Sequence, residues 1–181
     1  VSLVYNAIFD LEKKWQGFNR KPFSKNDLIQ LAGKHNIIVL EDNSVLNACA
    51  LRYKADNIIL YNPHQPDIDL ILGIGHELGH FSLGHVMNDA APLHANYLSN
   101  SAKEKDAGII GFLFWAPTPD LYRMKANGCL NLEEVYSNCR NNCYGDITGV
   151  NLETVCSARL RIYNALIKSN KPYPKKTHRF V

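Results

Sequence analysis

The stretch "LILGIGHELGHFSLGH", residues 70–85, sets His76, Glu77 and His80 inside a run that is otherwise apolar or small. A helix of that composition is buried, so its titratable side chains need a reason. Two readings are open: core histidines satisfied by hydrogen bonds, or a metal site. "HELGH" fits H-E-x-x-H, and at i and i+4 the side chains of His76 and His80 share one helix face, with Cβ atoms about 5–6 Å apart. That spacing suits two imidazole nitrogens converging on one zinc ion at about 2.0–2.1 Å each. Glu77 lies beside them, where a carboxylate can take a proton from metal-activated water. With seven His and seven Glu in 181 residues, chance supplies the pattern on the order of once in a hundred chains, which favours the metal. His85 resembles a further ligand, but at about 100° per residue it falls some 140° round the helix from His80. It reads as a second-sphere or surface histidine.

A two-ligand site is weak, so a third ligand must come from elsewhere. In "EKDAGIIGFLFWAP", helical geometry puts Ala107, Gly108, Gly111 and Trp115 within about 60° of the face that carries Glu104. Two glycines inside one helix cost about 1 kcal/mol each against alanine, and close approach to a neighbouring helix is the natural cause. If that neighbour is the His76–His80 helix, meeting it through Gly73, Glu104 points at the metal. Otherwise Gly108 and Gly111 only pack a tight core, and Glu104 is a solvated end residue.

Outward from these two segments, the chain reads as helix, helix, three strands and four further helical or apolar stretches' worth of pattern resolved into α–α–β–β–β–α–α–α–α. Val1, Val4, Ile8, Leu11 and Trp15 mark one face of a first helix. Ser24 caps a second, with Asp27 completing a capping box and Gly33 ending it. "NIIVLED", "VLNACALRY" and "NIILYN" are β-rich, and "KADN" joins the last two as a hairpin turn. Asp67 is placed to cap the His76 helix. A second apolar helix starts near Ser101 and stops before Pro117. A polar segment follows, with a short helix from about Leu132 and an amphipathic helix from Asn151 to about Lys168. The expected class is α+β: a small, antiparallel-type three-stranded sheet packed with helices, in one domain over residues 1–167.

Composition narrows the function. Apolar residues at 46% and charged residues at 20% describe a globular chain with a core. No run approaches the roughly 20 apolar residues that span a bilayer, and the opening "VSLVYNAIFDLEKKW" meets Asp10 too early for a signal peptide. Five scattered cysteines, an odd number, suit free thiols in a reducing compartment, so the expected location is cytoplasmic. "CRNNC", residues 139–143, has a spacing that fits helix neighbours as well as ligands with Cys129, and no His pair follows it. Residues 168–181 form a basic tail carrying Lys168, Lys171, Lys175, Lys176 and Arg179 without an acid. Setting those five aside from 20 leaves 15 basic against 17 acidic residues, so the body has no basic footprint for specific nucleic-acid binding.

"HELGHFSLGH" followed by "EKDAGIIGFLFWAP", with Glu104 24 residues after His80, resembles the ImmA/IrrE family of zinc metallopeptidases. That family shows H-E-[IL]-G-H and then E-x-E-A-[ND]-x-x-[AG]. "NIILYNPHQPDIDLILGIGHELGH" is similar to its strand, NP turn and helix, so the likeness runs from about Asn36 to Pro117, with a weaker echo in "TGVNLETVCSARLRIYNAL". The resemblance implies a zincin-like helix plus a glutamate-bearing second helix, with His76, His80 and Glu104 as zinc ligands and Glu77 as general base. It further implies hydrolysis of peptide bonds in a protein partner, often a helix-turn-helix, DNA-binding repressor of phage, mobile-element or stress-response systems. Asp106 stands where the family has a second Glu, and Gly108 where Asn or Asp orients a ligand histidine.

His94 and Tyr97, between the two ligand helices, are candidate oxyanion donors. "NIILYN" either pairs with an extended substrate by strand addition or is an inner strand. The rival from another class is a zinc-containing interaction module that binds a transcriptional regulator without cutting it. The tail has no apolar periodicity to bury, so deleting residues 169–181 is expected to leave folding and metal content intact. Circular dichroism and metal analysis of the truncated protein check this; an insoluble product would show a structural tail.

Overall fold

The computed structural model describes residues 3–86, 93–94, 101–141 and 152–168. Val1, Tyr97, Cys143 and residues 169–181 therefore lie outside the described residues, as does the side chain of His94. The order is α1 (Leu3–Lys14), α2 (Lys25–Lys34), β1 (Ile37–Glu41), β2 (Ala48–Tyr53), β3 (Asp56–Tyr61), α3 (Asp67–Ser82) and β4 (Leu93–His94). Then come α4 (Ala102–Trp115), α5 (Thr118–Ala126), α6 (Leu132–Asn141) and α7 (Leu152–Lys168). The class is α+β.

The sheet is mixed, which corrects the antiparallel expectation. β2 and β3 form a hairpin, Ala48 opposite Tyr61 through to Tyr53 opposite Asp56. Its tight turn places Lys54 at φ +54°, a left-handed conformation that short hairpin turns require. β1 pairs in parallel with the far edge of β3, Ile37 beside Asn57 and Glu41 beside Tyr61. The physical reason lies in the β1–β2 link. Asp42 accepts hydrogen bonds from the Ser44 N–H and hydroxyl, while its own N–H donates to the Tyr61 carbonyl. The chain is thereby led across the end of β3 before it reverses. Strand order is β1-β3-β2, with the two-residue β4 added beside Cys49 and Ala50 of β2. β3 is thus an inner strand with both edges paired, and it offers no edge for strand addition.

Helix ends follow local chemistry. Ser24 caps α2: its hydroxyl accepts from the Asp27 N–H, and its own N–H donates to the Asp27 carboxylate at 2.9 Å. α2 runs on through Gly33 to Lys34, however, and Asn36 takes the left-handed conformation at φ +57°. Asparagine tolerates that region through its short polar side chain, so no glycine was required. Pro66, not Asp67, stands at the cap position of α3; Asp67 lies in the first helical turn, where its charge favours the dipole. Ser101 caps α4 by accepting from the Glu104 N–H. α5, absent from the sequence expectation, begins where the polar segment was expected. Pro119 suits its first turn, where no donor is needed.

α3 lies on the sheet through β2, and α4 lies on α3. At their closest approach the residues are glycine and alanine. A Cβ on Gly75 would meet Phe114 at 3.0 Å and the Gly111 Cα at 3.2 Å. One on Gly79 would meet the Ala107 carbonyl oxygen at 2.8 Å, and one on Gly111 the His76 nitrogen at 3.1 Å. The small stripe of α3 is therefore Gly75 and Gly79; Gly73 faces Ala48 of β2 instead. Beyond α4, Trp15, Phe18 and Phe23 surround Phe114 with ring centroids 4.8–5.7 Å away. The end of α4 is clamped by polar groups. Arg159 of α7, fully buried, donates to the Ala116 carbonyl at 2.6 Å and the Thr118 hydroxyl at 3.0 Å. Asn19 accepts from the Thr118 N–H at 2.7 Å. Among the described residues no helix is long and apolar enough to cross a membrane.

Two glycine-to-alanine changes separate close approach from helix propensity. Gly79→Ala must push backbone apart and is expected to destabilise by about 1–3 kcal/mol. Gly33→Ala, also helical but with no described residue within 4 Å of the added carbon, is expected to stabilise by up to about 1 kcal/mol. Thermal melts of the two metal-free variants check the contrast, and similar melts would contradict the packing argument.

Candidate metal centre

α3 presents His76 and His80 to α4 from successive turns, and the glycine contact brings the first turn of α4 against them. Glu104 stands there, two residues into the helix that Ser101 caps. His76 Nε2 lies 2.9 Å from Glu104 Oε2, and His80 Nε2 lies 3.2 Å from Oε1. The two Nε2 atoms are 3.0 Å apart. Each imidazole thus faces one oxygen of the same carboxylate, and the two imidazoles face each other. Tetrahedral ligands at about 2.0–2.1 Å from a first-row ion stand about 3.3 Å apart, so these separations lie within a few tenths of an ångström of that spacing. His76, His80 and Glu104 can together hold a metal ion.

Their protonation suits that. Burial, then the neighbouring imidazoles, push the His76 ring down to about 3; burial and then His85 push His80 down to about 4. Both rings are neutral at pH 7, with lone pairs available for coordination. Burial raises the Glu104 carboxyl, although its side chain keeps 16% exposure and marks where the site meets solvent.

Glu77 is fully buried beside these ligands, and neither carboxylate oxygen makes a hydrogen bond to the described residues. Burial, then the charge of Glu104, hold its carboxyl well above the usual carboxylate range. The Ala50 backbone N–H of β2 favours the charged form without reaching hydrogen-bond geometry. A buried carboxyl without a partner costs stability, and such groups cluster at functional sites.

No family model, curated protein or solved structure matches this chain. What the site can do is read from its own atoms.

The remaining sequence candidates separate cleanly. Gly108 is buried and brings no side chain to the ligands. His76 Nδ1 has no hydrogen-bond partner among the described residues. The backbone of His94 pairs with Cys49 in β4. Cys129 donates to the Met124 carbonyl, while Cys139 and Cys156 are buried between α6 and α7, away from any ligand set. His85 stands elsewhere than a continued helix would put it. The helix stops at Ser82, Gly84 turns the chain at φ +68°, and the His85 ring returns to His80. Glycine one residue past the cap is the signal that marks this turn in the sequence.

Glu104→Ala is expected to weaken metal binding beyond the roughly 100-fold upper end for losing a supporting group. Asp106→Ala, two residues further round α4, should bind nearly as the parent does. Chelator-competition titration distinguishes them; equal losses would mean a different third ligand.

Proposed function

We propose that this protein is a zinc-dependent metallo-endopeptidase. The observation that carries the reading is Glu77, a buried carboxyl with no hydrogen bond among the described residues, set one residue from a ligand and beside the His–His–Glu group. A metal used only to hold a fold has no use for such a group. Two imidazoles and one carboxylate form the donor set of hydrolytic zinc sites, which keep a fourth position open. Zinc so held supplies Lewis acidity to a carbonyl oxygen and makes water acidic enough to attack at neutral pH.

The rest is done by the chain itself. His76 and His80 are kept neutral and aimed by α3, so neither ring has a positive charge to lose before coordination. Glu77 takes a proton at its carboxylate from the attacking water and delivers it to the leaving amide nitrogen. The burial of His76, Glu77 and His80 excludes bulk water, which strengthens each of these electrostatic effects. The resemblance to the ImmA/IrrE family supports a protein substrate, and within that class a DNA-binding helix-turn-helix regulator.

Glu77→Gln tests the reading, because glutamine keeps the size but accepts no proton at neutral pH. Zinc should remain bound at one ion per chain. Cleavage of a peptide library, followed by mass spectrometry, should fall by about 10²–10⁴-fold. If zinc-loaded parent and variant both leave every peptide intact while binding the same regulator equally, the non-cleaving interaction module takes the place of the enzyme.

A further inference from the structure

The end of α3 makes a contact that the catalytic reading leaves unused. Leu83 is the cap, Gly84 follows in the left-handed region, and the His85 N–H donates back to the His80 carbonyl at 2.9 Å. The Gly84 N–H donates to the Phe81 carbonyl at 3.2 Å, so the pair of bonds forms a Schellman motif. In that motif the second residue past the cap packs on the residue whose carbonyl it binds. Here both are histidines. Their rings meet at 5.2 Å between centroids and 63° between planes, with Nδ1 of His80 3.1 Å from Nδ1 of His85.

A single proton bridges two ring nitrogens at that distance, and it belongs to one of them. If His85 donates, His80 carries its own proton on Nε2 and turns an N–H toward Glu104. If His80 donates, its Nε2 keeps a lone pair facing His76 Nε2 and Glu104. Only the second arrangement leaves His80 Nε2 ready to coordinate. Ligand histidines commonly donate their far N–H to a fixed acceptor, which sets tautomer and ring angle together. His80 has particular need of such an acceptor, because it lies in the last turn of α3, where helices fray.

We propose that His85 is the positioning residue of the metal centre: its Nδ1 accepts from His80 Nδ1–H and locks His80 in the tautomer that coordinates through Nε2. The inference rests on the reading of His76, His80 and Glu104 as metal ligands. It assigns His85 no contact with metal or substrate.

The test measures zinc affinity by chelator competition and, separately, the His80 tautomer in the metal-free protein by long-range proton–nitrogen NMR of the imidazoles. In the parent, His80 should carry its proton on Nδ1. His85→Phe, which keeps a ring but no acceptor, should weaken zinc binding roughly 10–100-fold and move the His80 proton to Nε2. His85→Asn restores an acceptor and should recover most of the affinity, which a loss of packing alone would not allow. Gly84→Ala offers an independent route should His85→Phe fail to fold. Among the described residues no atom lies within 4 Å of the added carbon, so it perturbs the left-handed turn and should weaken binding in the same direction. Zinc affinity and tautomer both unchanged in His85→Phe would overturn the positioning role while leaving the metal reading intact. A parent that binds no zinc would overturn the metal reading, and the metal-free tautomer would still decide the His80–His85 bond.

Discussion

Everything at the site depends on how close two helices can come. α3 and α4 approach until backbone meets backbone, because Gly75 and Gly79 on one face Ala107 and Gly111 on the other. Glutamate is long enough to reach His76 and His80 only from a helix at that separation. Ordinary side chains at these positions would hold the axes at the usual 8–10 Å or beyond and withdraw Glu104 from the imidazoles. The glycines are also a liability, since each weakens its own helix. That loss is offset by burial of Ile71, Leu72, Ile74 and Leu78 along α3 and of Ile110, Phe112, Leu113 and Phe114 along α4. The site thus sits on a contact that the apolar core, and not helix propensity, keeps closed.

Burial gives the same residues their chemistry. Taken out of water, the two imidazoles resist protonation and the two carboxyls resist ionisation. A cluster of four titratable groups would repel or pair at random on a surface; here their charged forms are each disfavoured, and a dication is the partner that all four would accept. Support is uneven. His80 has His85 behind it, whereas among the described residues His76 Nδ1 has no hydrogen-bond partner.

What could be read in the sequence was local. The HELGH spacing, the Ser24–Asp27 box, the Ser101 cap and the stop at Pro117 each involve residues within one or two turns, and the chain places them as their chemistry directs. The helical stripe of α4 pointed to a close neighbour, but α3 carries three glycines in seven residues, and periodicity alone did not say which of them met it. The parallel β1–β3 pair depends on where the chain goes after Glu41, a matter of the Asp42 turn and not of β propensity. α5 was hidden by its own prolines, which end one helix and begin the next. Arg159 sits on an amphipathic helix like any surface arginine, and its partners, 41 and 43 residues away, leave no trace in its neighbourhood. His85 was misplaced by extending the helix through Gly84, although that glycine itself encodes the turn.

The division of the ligand group between two helices has a thermodynamic consequence. In the unfolded chain Glu104 and the two histidines are separated by a long loop and make no site, so an ion held by all three is a cross-link that only the folded state possesses. Its binding free energy then adds to folding free energy, rising as RT ln(1 + [ion]/Kd), and stability becomes a function of how much free ion surrounds the protein. The α3–α4 seam is where that added stability is stored. Removing such an ion would draw that contribution out of the α3–α4 seam first.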